Sequence, residues 1–111
     1  MRSRLQANIF PAAALSLVEL GQSLRRARLR RGIVVEDMAK RCMVTAPTYL
    51  KLEQGKPSVG LGVLAAALQA LGMEGRLARL LESDPQGEAM AEQRMPKKAR
   101  RPRSNIPGID S

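Results

Sequence analysis

The stretch Met38 to Gly55, MAKRCMVTAPTYLKLEQG, does most to limit what this chain can fold into. Met38 and Cys42 are four residues apart, which places them on one face of a helix. Met43 and Val44 follow as a turn. Thr45 is a good N-cap for a new helix, and Pro47 falls in its first turn, where a missing N–H costs nothing. Tyr49 and Leu52 return to the core at i and i+3, while Thr48, Leu50 and Lys51 face outward. Gly55 ends the segment and Pro57 follows it. The pattern is two short helices joined by a tight turn, the second carrying a polar, partly basic outer face.

The rest of the composition fits small packed helices. Apolar residues make up 44% of 111 residues, and the aromatics are Phe10 and Tyr49 alone. A core of Leu, Val, Ala and Met favours helices over a β-sandwich. The charge is +9, from 19 Lys and Arg against 10 Asp and Glu. Such an excess points to polyanions, nucleic acid or anionic lipid, without choosing between them. Cys42 is the one cysteine, so no internal disulfide forms, and a buried inert thiol in a reducing cytoplasm is the expectation. There is no histidine to activate it or to hold a metal. With no paired carboxylates in a plausible pocket and no phosphate loop, no enzyme, metal or cofactor is expected. Gly60-x-Gly62 lies within an amphipathic segment and is not read as a nucleotide motif. No run approaches the roughly 20 apolar residues needed to span a bilayer. Arg2, Arg4 and the following IFPAAALSLV imitate a short signal peptide but lack a cleavage signal, so they read as the run-in to a helix.

Taken in order, residues 1–11 are expected to be loose, 12–84 to form one all-α domain, and 85–111 to be a basic, disordered tail. Ala12 to Arg31 favours helix, with Leu17, Leu20, Leu24, Ala27 and Arg28 near one face; Gly21 is expected to weaken it, even to split it in two. Gly32 stops it. Val34 to Arg41 is a short second helix with Ile33, Met38 and Cys42 inward. Its N-cap is poor, although Glu36 and Asp37 suit its first turn. After the third helix, Ser58 is expected to cap a fourth over Val59 to Leu71, with Leu61, Leu64, Ala65, Leu68 and Leu71 as its apolar stripe. A fifth is expected over Arg76 to Glu82, with Leu77, Leu80 and Leu81 on one side. QGEAMAEQRM can add a turn or two of helix. Arg94, Lys97, Lys98, Arg100, Arg101 and Arg103 form a basic run with no periodicity.

LGQSLRRARLRRGIVVEDMAKRCMVTAPTYLKLEQGKPSV resembles the Cro/C1-type (XRE family) helix-turn-helix, a five-helix lambda-repressor-like DNA-binding domain. The matching residues are the LRRAR of the first helix, Gly32, Met38-Ala39, Thr45 to Thr48, and Leu52-Glu53-x-Gly55. The likeness implies an ion pair, Arg28 with Glu53, clamping the first helix to the third. It also implies that the third helix enters the major groove, with Thr45, Ala46, Pro47, Thr48, Leu50 and Lys51 toward the bases. Lys56, Ser58 and the backbone N–H groups of Ser58 and Val59 would meet phosphates. This sequence departs from the pattern where glutamines often open the second and third helices: Val35, Ala46 and Pro47 stand there. Direct hydrogen-bond readout is thin, which leaves apolar contact, Lys51 and DNA shape to carry preference. Met43 occupies the turn position usually held by glycine, so the turn is either strained or changed.

The segment from Ser58 through RLARLLESDP to QRMPKKAR looks like HipB-like antitoxins, small XRE proteins that repress their own operons as dimers and bind HipA-type kinases. What the likeness implies is a dimeric autorepressor, bound to double-stranded operator DNA on the nucleoid and paired with a HipA-like toxin. Leu77, Leu80, Leu81 and Met90 are the candidate dimer surface. For the tail, toxin contact, DNA backbone contact, a protease-sensitive end and a solvated spacer all stay open. A stand-alone regulator is the alternative. A basic RNA-associated protein is a weaker one, since only Phe10 and Tyr49 could stack on bases.

Overall fold

The computed structural model describes residues 10–94, all helix, turn and loop, with no strand among them. The chain divides into two compact units after Arg79. The first holds helices α1 (Pro11–Arg30), α2 (Val35–Arg41), α3 (Ala46–Glu53), α4 (Leu61–Ala70) and α5 (Glu74–Ala78). The second holds α6 (Pro85–Arg94). No helix among the described residues is long and apolar enough to cross a membrane. The expectations for residues 1–9 and for the basic run from Lys97 onward lie outside the described residues.

The core of the first unit is built from Leu24 and Ala27 of α1, Met38, Ala39 and Cys42 at α2, Tyr49 and Leu52 of α3, and Ala67, Leu68 and Leu71 at α4. Tyr49 and Met38 are the largest fully buried side chains. α3 touches α1, α2 and α4, so it is held on three sides. Leu77 of α5 closes the cluster from its edge.

α1 is one unbroken helix of 20 residues, not two pieces. Gly21 does not interrupt it; it lets another backbone come close. A methyl at Gly21 would lie 2.2 Å from the Glu53 carbonyl oxygen. Reciprocally, Gly55, at φ +76°, presses on α1 where a Cβ would meet Leu17 O at 2.5 Å. The intrinsic cost of glycine in a helix is repaid by this approach.

Four expected boundaries move. α4 begins at Leu61 with Gly60 as its N-cap, so neither does Ser58 cap it nor does Gly60 lie inside it. The backbone is still turning at Ser58, where the Val59 N–H donates back to the Lys56 carbonyl at 3.4 Å. Leu61 is 70% exposed, and fully buried Ala67 brings the helix close instead. α5 starts directly after Met73 and stops at Ala78, short of the expected Glu82. Only Leu77 reaches the core; Leu80 and Leu81 are exposed, so they do not line one side of a helix. The helix expected as a turn or two within QGEAMAEQRM is longer and begins at Pro85: α6 runs to Arg94, and the Asp84 carboxylate accepts from the Gly87 N–H at 3.0 Å and caps it. α6 buries no residue, and Met90 is about half exposed.

Candidate nucleic-acid interface

The approach to α3 is fixed by the turn after α2. The Met43 N–H donates to the Lys40 carbonyl and the Val44 N–H to the Ala39 carbonyl, each at 3.0 Å. Met43 sits at φ +59°, the one non-glycine residue in the left-handed region among those described. The turn is therefore kept, and the strain is carried by a thioether side chain that is 89% exposed. Thr45 is the N-cap of α3; its hydroxyl accepts from the Thr48 N–H at 3.3 Å and donates to the Thr48 hydroxyl at 3.0 Å.

The inner face of α3 is locked to α1 by a buried polar network. Arg28 Nε and Nη2 donate to the two carboxylate oxygens of Glu53, at 2.6 and 3.1 Å. Arg28 Nη1 donates to the Ile33 carbonyl at 2.9 Å, which ties the end of the α1–α2 turn to the same guanidinium. The Tyr49 hydroxyl donates to the Glu53 oxygen that Arg28 Nε also holds. Both charged residues are buried. The Glu53 hydrogen bond raises the Arg28 pKa against the opposing effect of burial, so the guanidinium stays charged. Burial, then the bond to Glu53, pushes the Tyr49 phenol up, so it stays a donor. A bidentate pair with a third donor satisfies the carboxylate, which makes so dry a charge tolerable and fixes the angle of α3. The sequence placed Tyr49 in the core without assigning its hydroxyl; its i, i+4 spacing to Glu53 was the available signal.

With Tyr49, Leu52 and Glu53 inward, the outer face of α3 comprises Pro47, Leu50, Lys51 and Gln54. Gln54 had not been singled out; its position three after Lys51 puts it on that face. Thr45 is exposed, while Ala46 and Thr48 are half-buried at the flanks. Lys56 and Ser58 are exposed in the turn beyond Gly55, where the Lys56 N–H donates to the Lys51 carbonyl at 3.1 Å. The turn thus sets Lys56 just past Lys51. It also spends the Val59 N–H, which the sequence had offered to a phosphate.

A family model described as a helix-turn-helix domain matches residues 19–81, more than half of the chain. No curated protein and no solved structure matches it. α2, the Met43 turn and α3 lie within the matched span, as do Arg28 and Glu53. The chain belongs to the helix-turn-helix domain family and has the all-α architecture of a DNA-binding regulator.

Proposed function

We propose that this chain is a sequence-specific transcriptional repressor that binds double-stranded operator DNA as a dimer and controls its own gene. The observation that carries the reading is the division of α3 into two faces. Its inner face is held by Arg28, Glu53 and Tyr49, and its outer face presents Pro47, Leu50, Lys51 and Gln54 to solvent. A helix fixed in angle and free on one side is what a major groove admits. Thr45, Ala46, Thr48, Lys56 and Ser58 border that face and are assigned to base or phosphate contact. The excess of basic charge supplies the attraction to phosphates. Such a regulator would act on the nucleoid, in the cytoplasm.

Footprinting on the chain's own promoter tests the proposal. A protected palindrome is expected, with the spacing between half-sites set by the dimer. Absence of protection there overturns autorepression. Lys51→Ala is expected to relax sequence preference; if it changes only the salt slope, nonspecific polyanion binding, including RNA, becomes the better reading. Sedimentation at micromolar concentrations tests the dimer, and a monomer throughout overturns it.

The narrower reading is an antitoxin for a HipA-like kinase. The likeness of the segment after Ser58 supports it, as do Leu80 and Leu81, exposed between α5 and α6 and available for a partner to cover. Co-expression with the neighbouring reading frame tests it. A HipA-like product that co-purifies with this chain supports the antitoxin role, and an unrelated neighbour leaves a stand-alone regulator.

A further inference from the structure

The residues leading into α3 alternate. Met43, Thr45 and Pro47 are exposed, while Val44, Ala46 and Thr48 are half-buried between them. Val44 and Ala46 pack against the core, which leaves Met43, Thr45 and Pro47 turned to solvent around the start of α3. Leu50, one turn after Pro47, is 38% exposed. Three of the exposed groups along the turn and the first half of α3 are therefore apolar: a thioether, a pyrrolidine and an isobutyl.

The polar groups of the same stretch are largely committed. The Thr45 hydroxyl has given its hydrogen to Thr48 and one lone pair to the Thr48 N–H. Thr48 keeps a hydrogen but is half-buried. Lys51 and Gln54 lie further along the helix. Among base edges of the major groove, the group that an apolar surface can recognise is the 5-methyl of a pyrimidine. Met43 also sits in a left-handed backbone conformation that is unfavourable for a methionine, and it buries almost none of its side chain in return. Strain kept without packing gain points to a use outside the fold.

We propose that this chain recognises pyrimidine 5-methyl groups, those of thymine in unmodified DNA, through a patch of Met43, Pro47 and Leu50, with Met43 as a specificity-determining residue. The proposal rests on the DNA-reading function above. It adds which base feature is read and which residue outside α3 reads it.

The test begins by selecting duplexes from a random pool with the full-length chain. The enriched duplex is then remade with deoxyuridine in place of each thymine in turn, which deletes one methyl and leaves the pairing edge intact. At contacted positions affinity should fall about fourfold, the factor for one buried methyl group. Met43→Gly should raise the thermal midpoint by relieving the turn, yet bind less tightly and lose the thymine-over-uracil preference at one position. Leu50→Ala should lose it at a neighbouring position. A parallel pool carrying 5-methylcytosine separates the two sources of the group: enrichment there alone would assign the patch to methylated cytosine. Three results overturn the proposal: an enriched site indifferent to uracil, a Met43→Gly protein that keeps the full preference, or selection of sites without pyrimidine methyls. In each of these the DNA-reading function stands. If the pool yields no enriched duplex at all, that function fails and the proposal fails with it.

Discussion

Gly21 of α1 and Glu53 of α3 meet backbone to backbone: a methyl on Gly21 would lie 2.2 Å from the Glu53 carbonyl oxygen and 2.7 Å from its carbon. The same residue, Glu53, takes Arg28 through its side chain. The end of α3 is thus pinned to α1 twice, by steric fit and by charge. Gly21→Ala is expected to destabilise the domain by about 1–3 kcal/mol, toward the upper end, because the obstacle is backbone and cannot change rotamer. Gly62, inside α4 with open space around its Cβ position, is the control. Gly62→Ala should stabilise by roughly 0.5–1 kcal/mol. Urea unfolding of the two variants checks both signs.

The Arg28–Glu53 pair is expected to matter more for arrangement than for net stability. Glu53→Leu leaves a buried guanidinium and the Tyr49 hydroxyl without their acceptor, and should cost about 3–5 kcal/mol. Adding Arg28→Met and Tyr49→Phe removes the stranded groups and should recover most of that loss. Chemical unfolding of the single and triple variants decides the matter. A triple variant as unstable as the single would mean that the network contributes net stability in its own right.

Alkaline conditions should unfold the domain through its buried acids. Burial raises the Cys42 pKa from the ordinary 9.0. Burial and the Glu53 bond raise that of Tyr49 from 10.0. In both cases the unfolded chain releases its proton first, so stability is full below these ordinary values and falls as pH rises past them. The thermal midpoint should hold near neutral pH and drop from about pH 9 upward. Cys42→Ala should delay the onset, at a cost in packing. A midpoint flat to pH 11 would contradict the burial of both groups.

The Thr45 cap is the one side-chain N-cap bond among the helices of the first unit. Thr45→Ala should cost about 1 kcal/mol, and Thr45→Ser should restore most of it, since either hydroxyl can accept from the Thr48 N–H. Thermal melts of both variants make the comparison.

The local chemistry of α2 and α3 was readable from sequence because it is set within a few residues. Thr45, Pro47 and Gly55 act on their own neighbours, and the periodicity of Met38, Cys42, Tyr49 and Leu52 names its own inner face. What only the tertiary structure decided depends on residues distant along the chain. The use of Gly21 required α3 to arrive against α1, which no helix propensity reports. The start of α4 at Leu61 was set by the turn from Lys56 to Gly60, which over-rode a good capping residue at Ser58. Leu80 and Leu81 have the composition of a core face, but α5 ends before it can turn them inward. The third donor to Glu53, the Tyr49 hydroxyl, became legible once Arg28 had fixed where the carboxylate lies. Sequence determined which residues form and bound α3, because those bonds are local; tertiary structure decided its orientation and its outward face, because those depend on what α1 and α2 leave uncovered.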